Sequence, residues 1–128
     1  VNDIKMLSKY VEKLTNEIIE IIDKSIEPTT IIYPNPKNLP EILTQTNTIA
    51  IRVTNDYFCN EIIRKLKKPI ISTSANVSNS ENPKNFKQVN KRIKEMVDYI
   101  AQHKTNLNLE KPSRIIKINS EKKIELIR

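Results

Sequence analysis

Lys67-Lys-Pro-Ile-Ile-Ser-Thr-Ser-Ala-Asn-Val-Ser78 is the stretch on which the reading of this chain turns. Pro69 stops whatever precedes it, because its ring fixes φ and removes a backbone donor. Ile70 and Ile71 open a β-branched run, which predicts a short buried strand. Ser72, Thr73, Ser74, Asn76 and Ser78 follow at once. A strand that empties into small hydroxyl and amide side chains delivers many short donors to one place. Open α/β sheets bind ligands at such strand ends. The same composition also suits a solvated loop rich in Ser and Asn.

Upstream, Thr48 to Val53 alternates, with Ile49 and Ile51 on one side and Thr48, Ala50 and Arg52 on the other. An inward Arg needs a partner, either an internal carboxylate or a bound carboxylate or phosphate that its fork can grip bidentately. Thr54 or Asn55 is the expected cap of a following helix, with Phe58, Ile62, Ile63 and Leu66 as its apolar stripe and Glu61, Arg64, Lys65 and Lys67 on its wet side. Further back, Thr29 to Tyr33 reads as a strand. Before it, Asn2 is the expected cap of a short amphipathic turn holding Ile4, Leu7 and Val11. Thr15 is the expected cap of a helix with a stripe of Ile18, Ile19, Ile22 and Ile26, ended by Pro28.

Downstream, Asn85 with Gln88 three residues on predicts a capped helix carrying Phe86, Val89, Ile93 and Met96. Val97 to Ala101 reads as a strand, and 102–111 as a polar surface loop in which His103 is solvated. Ser113 to Ile118 and Lys123 to Ile127 read as a hairpin about a Ser120-Glu-Lys turn. The expected core contains Ile49, Ile51, Phe58, Ile70, Ile71 and Ile115.

The 128 residues suffice for one domain with a single core. No apolar run approaches bilayer length, and no signal-peptide pattern is present. A lone Cys59 makes no internal disulfide, which suits a cytoplasmic location, and Cys59 and His103 stand apart from any metal-binding cluster. A net charge of +7 fits contact with polyanions, ATP or RNA. The abundance of Lys, Asn and Ile also fits the codon bias of an AT-rich genome. Glycine is absent, so turns that need φ > 0 fall to Asn, with Asn35, Asn38, Asn55, Asn79, Asn106 and Asn119 as candidates.

The stretch Lys68-Pro-Ile-Ile-Ser-Thr-Ser-Ala-Asn-Val-Ser78 resembles the signature of the threonylcarbamoyl-AMP synthase family, the YrdC-like domain. Pro28-Thr-Thr-Ile-Ile-Tyr33, Thr48-Ile-Ala-Ile-Arg-Val53, Val97-Asp-Tyr-Ile100 and Pro112-Ser-Arg-Ile-Ile116, with the terminal Leu126-Ile-Arg128, fall in that family's order. Of the family's Pro-Gly-Pro entry to the first of these strands, Pro28 and Thr30 match. Asn79 stands where the family has Gly. Two earlier family signatures, a Pro-Thr-acidic-Thr-x-Tyr-Gly-Leu segment and a Lys-x-Arg-Pro loop, are not in this sequence, so the resemblance covers the C-terminal portion of the domain.

The resemblance implies an α+β domain over 1–128, a mixed twisted sheet with packed helices. It implies synthesis of threonylcarbamoyl-AMP from L-threonine, bicarbonate and ATP, with Mg²⁺ accompanying ATP, for modification of tRNA. By position, Arg52, Ser72 and Ser113 match threonine-side contacts, and Thr48, Ser74, Asn82 and Arg128 match ATP-side contacts. Asn82 replaces the family's usual Ser, and Arg114 replaces a usual Thr. The implied site has Arg52, Ser72, Ser74 and Ser113 lining one concavity. Without the Lys-x-Arg loop, this chain alone is expected to turn over poorly. The alternative is a non-catalytic module that binds double-stranded RNA or tRNA.

Overall fold

The computed structural model describes residues 1–108, 112–119 and 123–128. The chain falls into two regions, Val1–Ile70 with Ser113–Arg128, and Ile71–Pro112. The first holds the sheet and the core. Its elements are α1 (Ile4–Leu7), α2 (Asn16–Lys24), β1 (Thr29–Pro34), β2 (Thr48–Ile51), α3 (Tyr57–Leu66), β3 (Arg114–Ile118) and β4 (Ile124–Leu126), with a 3-10 turn at Glu41–Leu43. The sheet order is β2-β1-β3-β4. β1 pairs antiparallel with β2 and parallel with β3, and β3 pairs antiparallel with β4. This is the mixed α+β architecture that the resemblance implied. The hairpin of β3 and β4 forms as read, while its Ser120-Glu-Lys turn lies outside the described residues.

β1 sits at the centre and alternates. Thr29, Ile31 and Tyr33 are buried, and the residues between them are half-buried. Ile31 and Tyr33 join Leu7, Val11, Ile18, Ile116 and Ile118 in one core, with Val1 beside them and Ile49, Ile51 and Val53 packed against it. A buried side chain of this size stabilises by roughly 1.5–3 kcal/mol. Ile49 and Ile51 thus touch the core as expected, while Ile115 and Phe58 are half-buried.

The caps show which local chemistry wins. Thr15 caps α2 as read, accepting from the Ile18 N–H at 3.4 Å. α1 is capped by Asp3 rather than Asn2; Asp3 accepts from the Met6 N–H at 2.6 Å, and the Asn2 amide donates to it at 2.9 Å. A carboxylate suits the positive end of a helix better than an amide does. α3 is capped by Asp56, not Thr54 or Asn55. Asp56 accepts from the Cys59 N–H at 3.0 Å, and Thr54 accepts from the Asp56 N–H at 3.2 Å. α2 stops at Lys24, Ser25 is extended, and Ile26 leaves the stripe fully exposed. Within the α3 stripe Ile63 is buried, yet Leu66 at the last turn is exposed.

The expected strand at Ile70–Ile71 does not form, and both side chains are exposed, Ile71 by 80%. β-branched propensity is a statement about packing on a pleated surface, and among the described residues no strand pairs with this stretch. The expected strand at Val97–Ala101 is absent for the same reason, with Tyr99 80% exposed.

The region Ile71–Pro112 holds a 3-10 turn at Phe86–Gln88 and α4 (Lys91–Met96). The single helix read from Asn85 onward is split. Asn85 accepts from the Gln88 N–H at 3.2 Å, Val89 turns extended, and Asn90 begins again by accepting from the Arg92 N–H at 2.8 Å. Two Asn side chains five residues apart each offer the backbone a local partner that ends the preceding turn.

Positive φ occurs at Asn35, Asn38, Asn47, Lys67, Asn79 and Lys104. Three of these were expected from the asparagines; Asn55 and Asn106 are not among them.

Candidate functional site

The ladder sorts the sheet into two faces. Ile31 lies opposite Ile51 on β2 and beside Ile116 on β3, on the face that packs against the core. Thr30 pairs in register with Ile115, Ile32 with Ala50, and Pro34 with Thr48, so these occupy the other face. Arg52 directly follows Ile51, the last residue of β2, whose ladder partner is Ile31. The Arg52 carbonyl accepts from the Val1 nitrogen at 3.0 Å, which ties down the residue just past β2.

At that end of the sheet, the hydroxyls of Thr30 and Ser113 are 3.2 Å apart. The Arg128 guanidinium donates to the Ser113 carbonyl at 3.4 Å. The Arg128 carbonyl accepts from the Ile115 N–H at 2.7 Å, which continues the β3–β4 pairing to the last residue. Thr30, Ser113 and Arg128 are thus linked across β1, β3 and β4, and Arg52 follows the last residue of β2 at the same end of the sheet. Three of these were read from the sequence. Thr30 was not assigned a role, although its place beside Pro28 at a matching family position was the available signal. Thr48 sits four residues from Arg52, about 13 Å along the strand at 3.3 Å per residue. Its hydroxyl pairs instead with that of Thr46 at 3.0 Å.

A cavity of about 150 Å³ lies between the end of α2 and the ends of β1 and β2. Ile22, Ser25, Tyr33, Ile51, Arg52 and Asp56 border it. Burial pushes the Tyr33 phenol well above its ordinary pKa, so it stays neutral across the physiological range.

The other predicted residues belong to Ile71–Pro112. Ser72, Ser74 and Asn82 are exposed, and their side chains make no hydrogen bond among the described residues. The loop holds itself through Asn76, whose amide donates to the carbonyls of Val77 at 3.2 Å and Ser80 at 2.9 Å. Ser80 returns to the Val77 carbonyl through both its N–H and its hydroxyl. Asn79 takes φ 66°, so an amide side chain fills the left-handed position that the family gives to Gly. Among the described residues no group of three or more His, Cys, Asp or Glu could hold a metal ion, and no helix is long and apolar enough to cross a membrane.

The Thr30 and Ser113 hydroxyls, with the Arg128 guanidinium at the Ser113 carbonyl, bring donors suited to an anion such as a carboxylate or phosphate to this end of the sheet. Comparison with known proteins bears on the family. The Sua5/YciO/YrdC family model, described as telomere recombination, matches residues 1–128. A protein of Methanocaldococcus jannaschii is 34% identical over 119 residues, covering 91% of this chain and 53% of its own. The threonylcarbamoyl-AMP synthase of Psychromonas ingrahamii is 38% identical over 95 residues, 71% of this chain and 50% of its own. That of Pseudoalteromonas translucida is 33% identical over 87 residues, 67% of this chain and 46% of its own. The chain thus spans about half the length of the curated relatives it matches. A solved structure of Sua5 from P. abyssi shares the fold with a TM-score of 0.74 at 17% identity, over 100% of this chain and 37% of that one.

Proposed function

The chain belongs to the Sua5/YciO/YrdC family, and from that premise we propose that it takes part in making threonylcarbamoyl-AMP from L-threonine, bicarbonate and ATP. The threonine amine takes up CO₂ as a carbamate. A carbamate oxygen attacks the α-phosphorus of ATP, and pyrophosphate leaves. No protein nucleophile is required; positioning and charge neutralisation suffice. Arg52, Ser72 and Ser113 are the proposed threonine contacts, and Thr48, Ser74, Asn82 and Arg128 the proposed ATP contacts. Mg²⁺ would arrive with the triphosphate as part of the substrate. The product would serve tRNA modification.

The observation that supports this most is the Thr30–Ser113 hydroxyl pair with the Arg128 guanidinium at Ser113, at the end of the sheet where Arg52 follows β2. Pyrophosphate release is the direct test, with ATP, threonine, bicarbonate and Mg²⁺ supplied. The chain is assayed alone and again with the N-terminal half of a relative's domain added. Poor turnover alone, turnover on mixing, and its loss in Arg52→Ala are expected. Pyrophosphate release that ignores threonine and bicarbonate in both formats would sink the reading.

A second reading has its own observation. Lys84, Lys87, Lys91, Arg92 and Lys94 place five cations within eleven residues that contain no acid. Lys94 also stacks over the Phe86 ring at 4.7 Å. A run of this kind suits an RNA backbone. RNA retention that weakens steeply with salt, without any ATP binding, would favour a binding module over a synthase.

A further inference from the structure

We propose that Thr30 is a positioning residue for substrate binding, acting through the hydroxyl of Ser113; this rests on the reading that Ser113 meets threonine. Thr30 lies on the central strand and pairs in register with Ile115. Its Oγ1 is 3.2 Å from Ser113 Oγ, with both groups partly buried. Ser113 just precedes β3, where its own strand does little to fix its rotamer. The hydroxyl on the neighbouring strand supplies that restraint.

The sense of the hydrogen bond follows from the charges around it. Arg128 donates to the Ser113 carbonyl, and Arg52 lies one residue past Ile51, the ladder partner of Ile31, at the same end of the sheet. Two cations at this end of the sheet select an anionic group, the carboxylate of threonine or the carbamate formed on its amine. Ser113 must then donate its proton outward to that anion. The bond between the two hydroxyls therefore runs from Thr30 to Ser113, and Thr30 O–H is the donor. Polarised by this bond, Ser113 becomes a better donor, because hydrogen bonds in a chain strengthen one another. Neither the strand nor the core needs this hydroxyl, since valine would fill the same β-branched shape on the face away from the core.

The test uses residues 1–128, alone and mixed with the N-terminal half of a relative's domain, with L-threonine and ATP as separate titrants in calorimetry. Thr30→Val is expected to weaken threonine binding about three- to tenfold, the size of one hydrogen bond, with ATP binding unchanged. Thr30→Ser is expected to restore it. Ser113→Ala should weaken threonine binding as well, and the Thr30→Val, Ser113→Ala double variant should bind no worse than Ser113→Ala alone, because Thr30 then has nothing to orient. Equal threonine affinity in Thr30→Val and the unsubstituted chain overturns this inference while leaving the functional reading intact. Additive losses in the double variant also overturn it, since Thr30 would then touch the ligand itself or support the fold. If Thr30→Val does not fold, failure of Thr30→Ser to match the unsubstituted affinity overturns the inference in its place. Absence of saturable threonine binding by the unsubstituted protein in both formats overturns the reading and the inference together.

Discussion

The two regions of this chain have similar sequences in kind and different outcomes in structure. Both carry β-branched and aromatic runs bounded by Pro, Asn and Ser. In Val1–Ile70 with Ser113–Arg128, such runs pair into four strands and bury Ile31, Tyr33, Ile116 and Ile118. In Ile71–Pro112, Ile71, Val97 and Tyr99 stay exposed, and no described residue of that region is buried. The difference teaches that a β-branched run is an offer rather than an element. It becomes a strand when a neighbour supplies a ladder and a helix covers one face.

Hydrogen exchange would probe that contrast most strongly. Amides of β1 and β3 should exchange only through global opening, a protection of several kcal/mol, whereas 71–82 should exchange almost as a free chain. In the same spirit, Leu7→Ala, at a fully buried site, should cost about 2–5 kcal/mol in chemical denaturation, and Ile71→Ala less than about 0.5 kcal/mol. Matching losses at the two sites would break the comparison.

The caps sharpen it. Asp56→Ala removes the cap of α3, which contributes the buried Ile63, and should cost about 1 kcal/mol. Asn90→Ala removes an equivalent cap from the exposed α4 and should leave the global midpoint within about 0.5 kcal/mol, since that helix can open locally.

Lys67 ends α3 in the left-handed conformation with φ 55°, where glycine is the residue of least strain. Lys67→Gly should therefore stabilise by about 0.5–1 kcal/mol, measured as a rise in the denaturation midpoint. A loss would mean that the lysine stem packs usefully.

The smallest effect is a pH dependence. The hydrogen bond from Arg64 to Glu61, 2.6 Å at its shortest, holds the Glu61 carboxyl below its ordinary value. A depressed folded-state value means that its contribution is present above the usual carboxylate range and is lost as pH falls through the lower, folded-state value. Glu61→Gln should lower stability slightly at neutral pH, leave it almost unchanged in acid below the folded-state value, and so flatten the acid limb of the profile. An equal change at both ends of the profile would count against the pairing.

Much of the sheet was legible because its signals were redundant. β1 combines Pro28 with five residues of strand-forming type. Arg52 stood out because a guanidinium in an alternating apolar strand requires a reason. The cap of α2 was read as Thr15, and the structure keeps it there although Asn16 stands beside it. Where the rival was a carboxylate, as with Asn2 against Asp3 and Thr54 or Asn55 against Asp56, the carboxylate won through the helix field, a preference that position alone does not reveal. Ile70 and Ile71 were misread because pairing is a property of two segments and a sequence window contains one. Thr30 went unassigned because its partner, Ser113, is distant in sequence, and only the parallel register between β1 and β3 brings their hydroxyls together.

That parallel register also governs the order in which the molecule can assemble. Thr29 pairs with Arg114, so the central pair of strands joins residues far apart in the sequence. During synthesis, β1 and β2 can zip as a hairpin early, but the middle of the sheet must wait until β3 has emerged. Loop-closure entropy grows only logarithmically, so the length of 71–112 weighs little on final stability. It weighs heavily on speed, because so distant a contact is found late in the conformational search. Until then Ile31 and Tyr33 stand half-covered, and the nascent chain spends that interval exposed to aggregation.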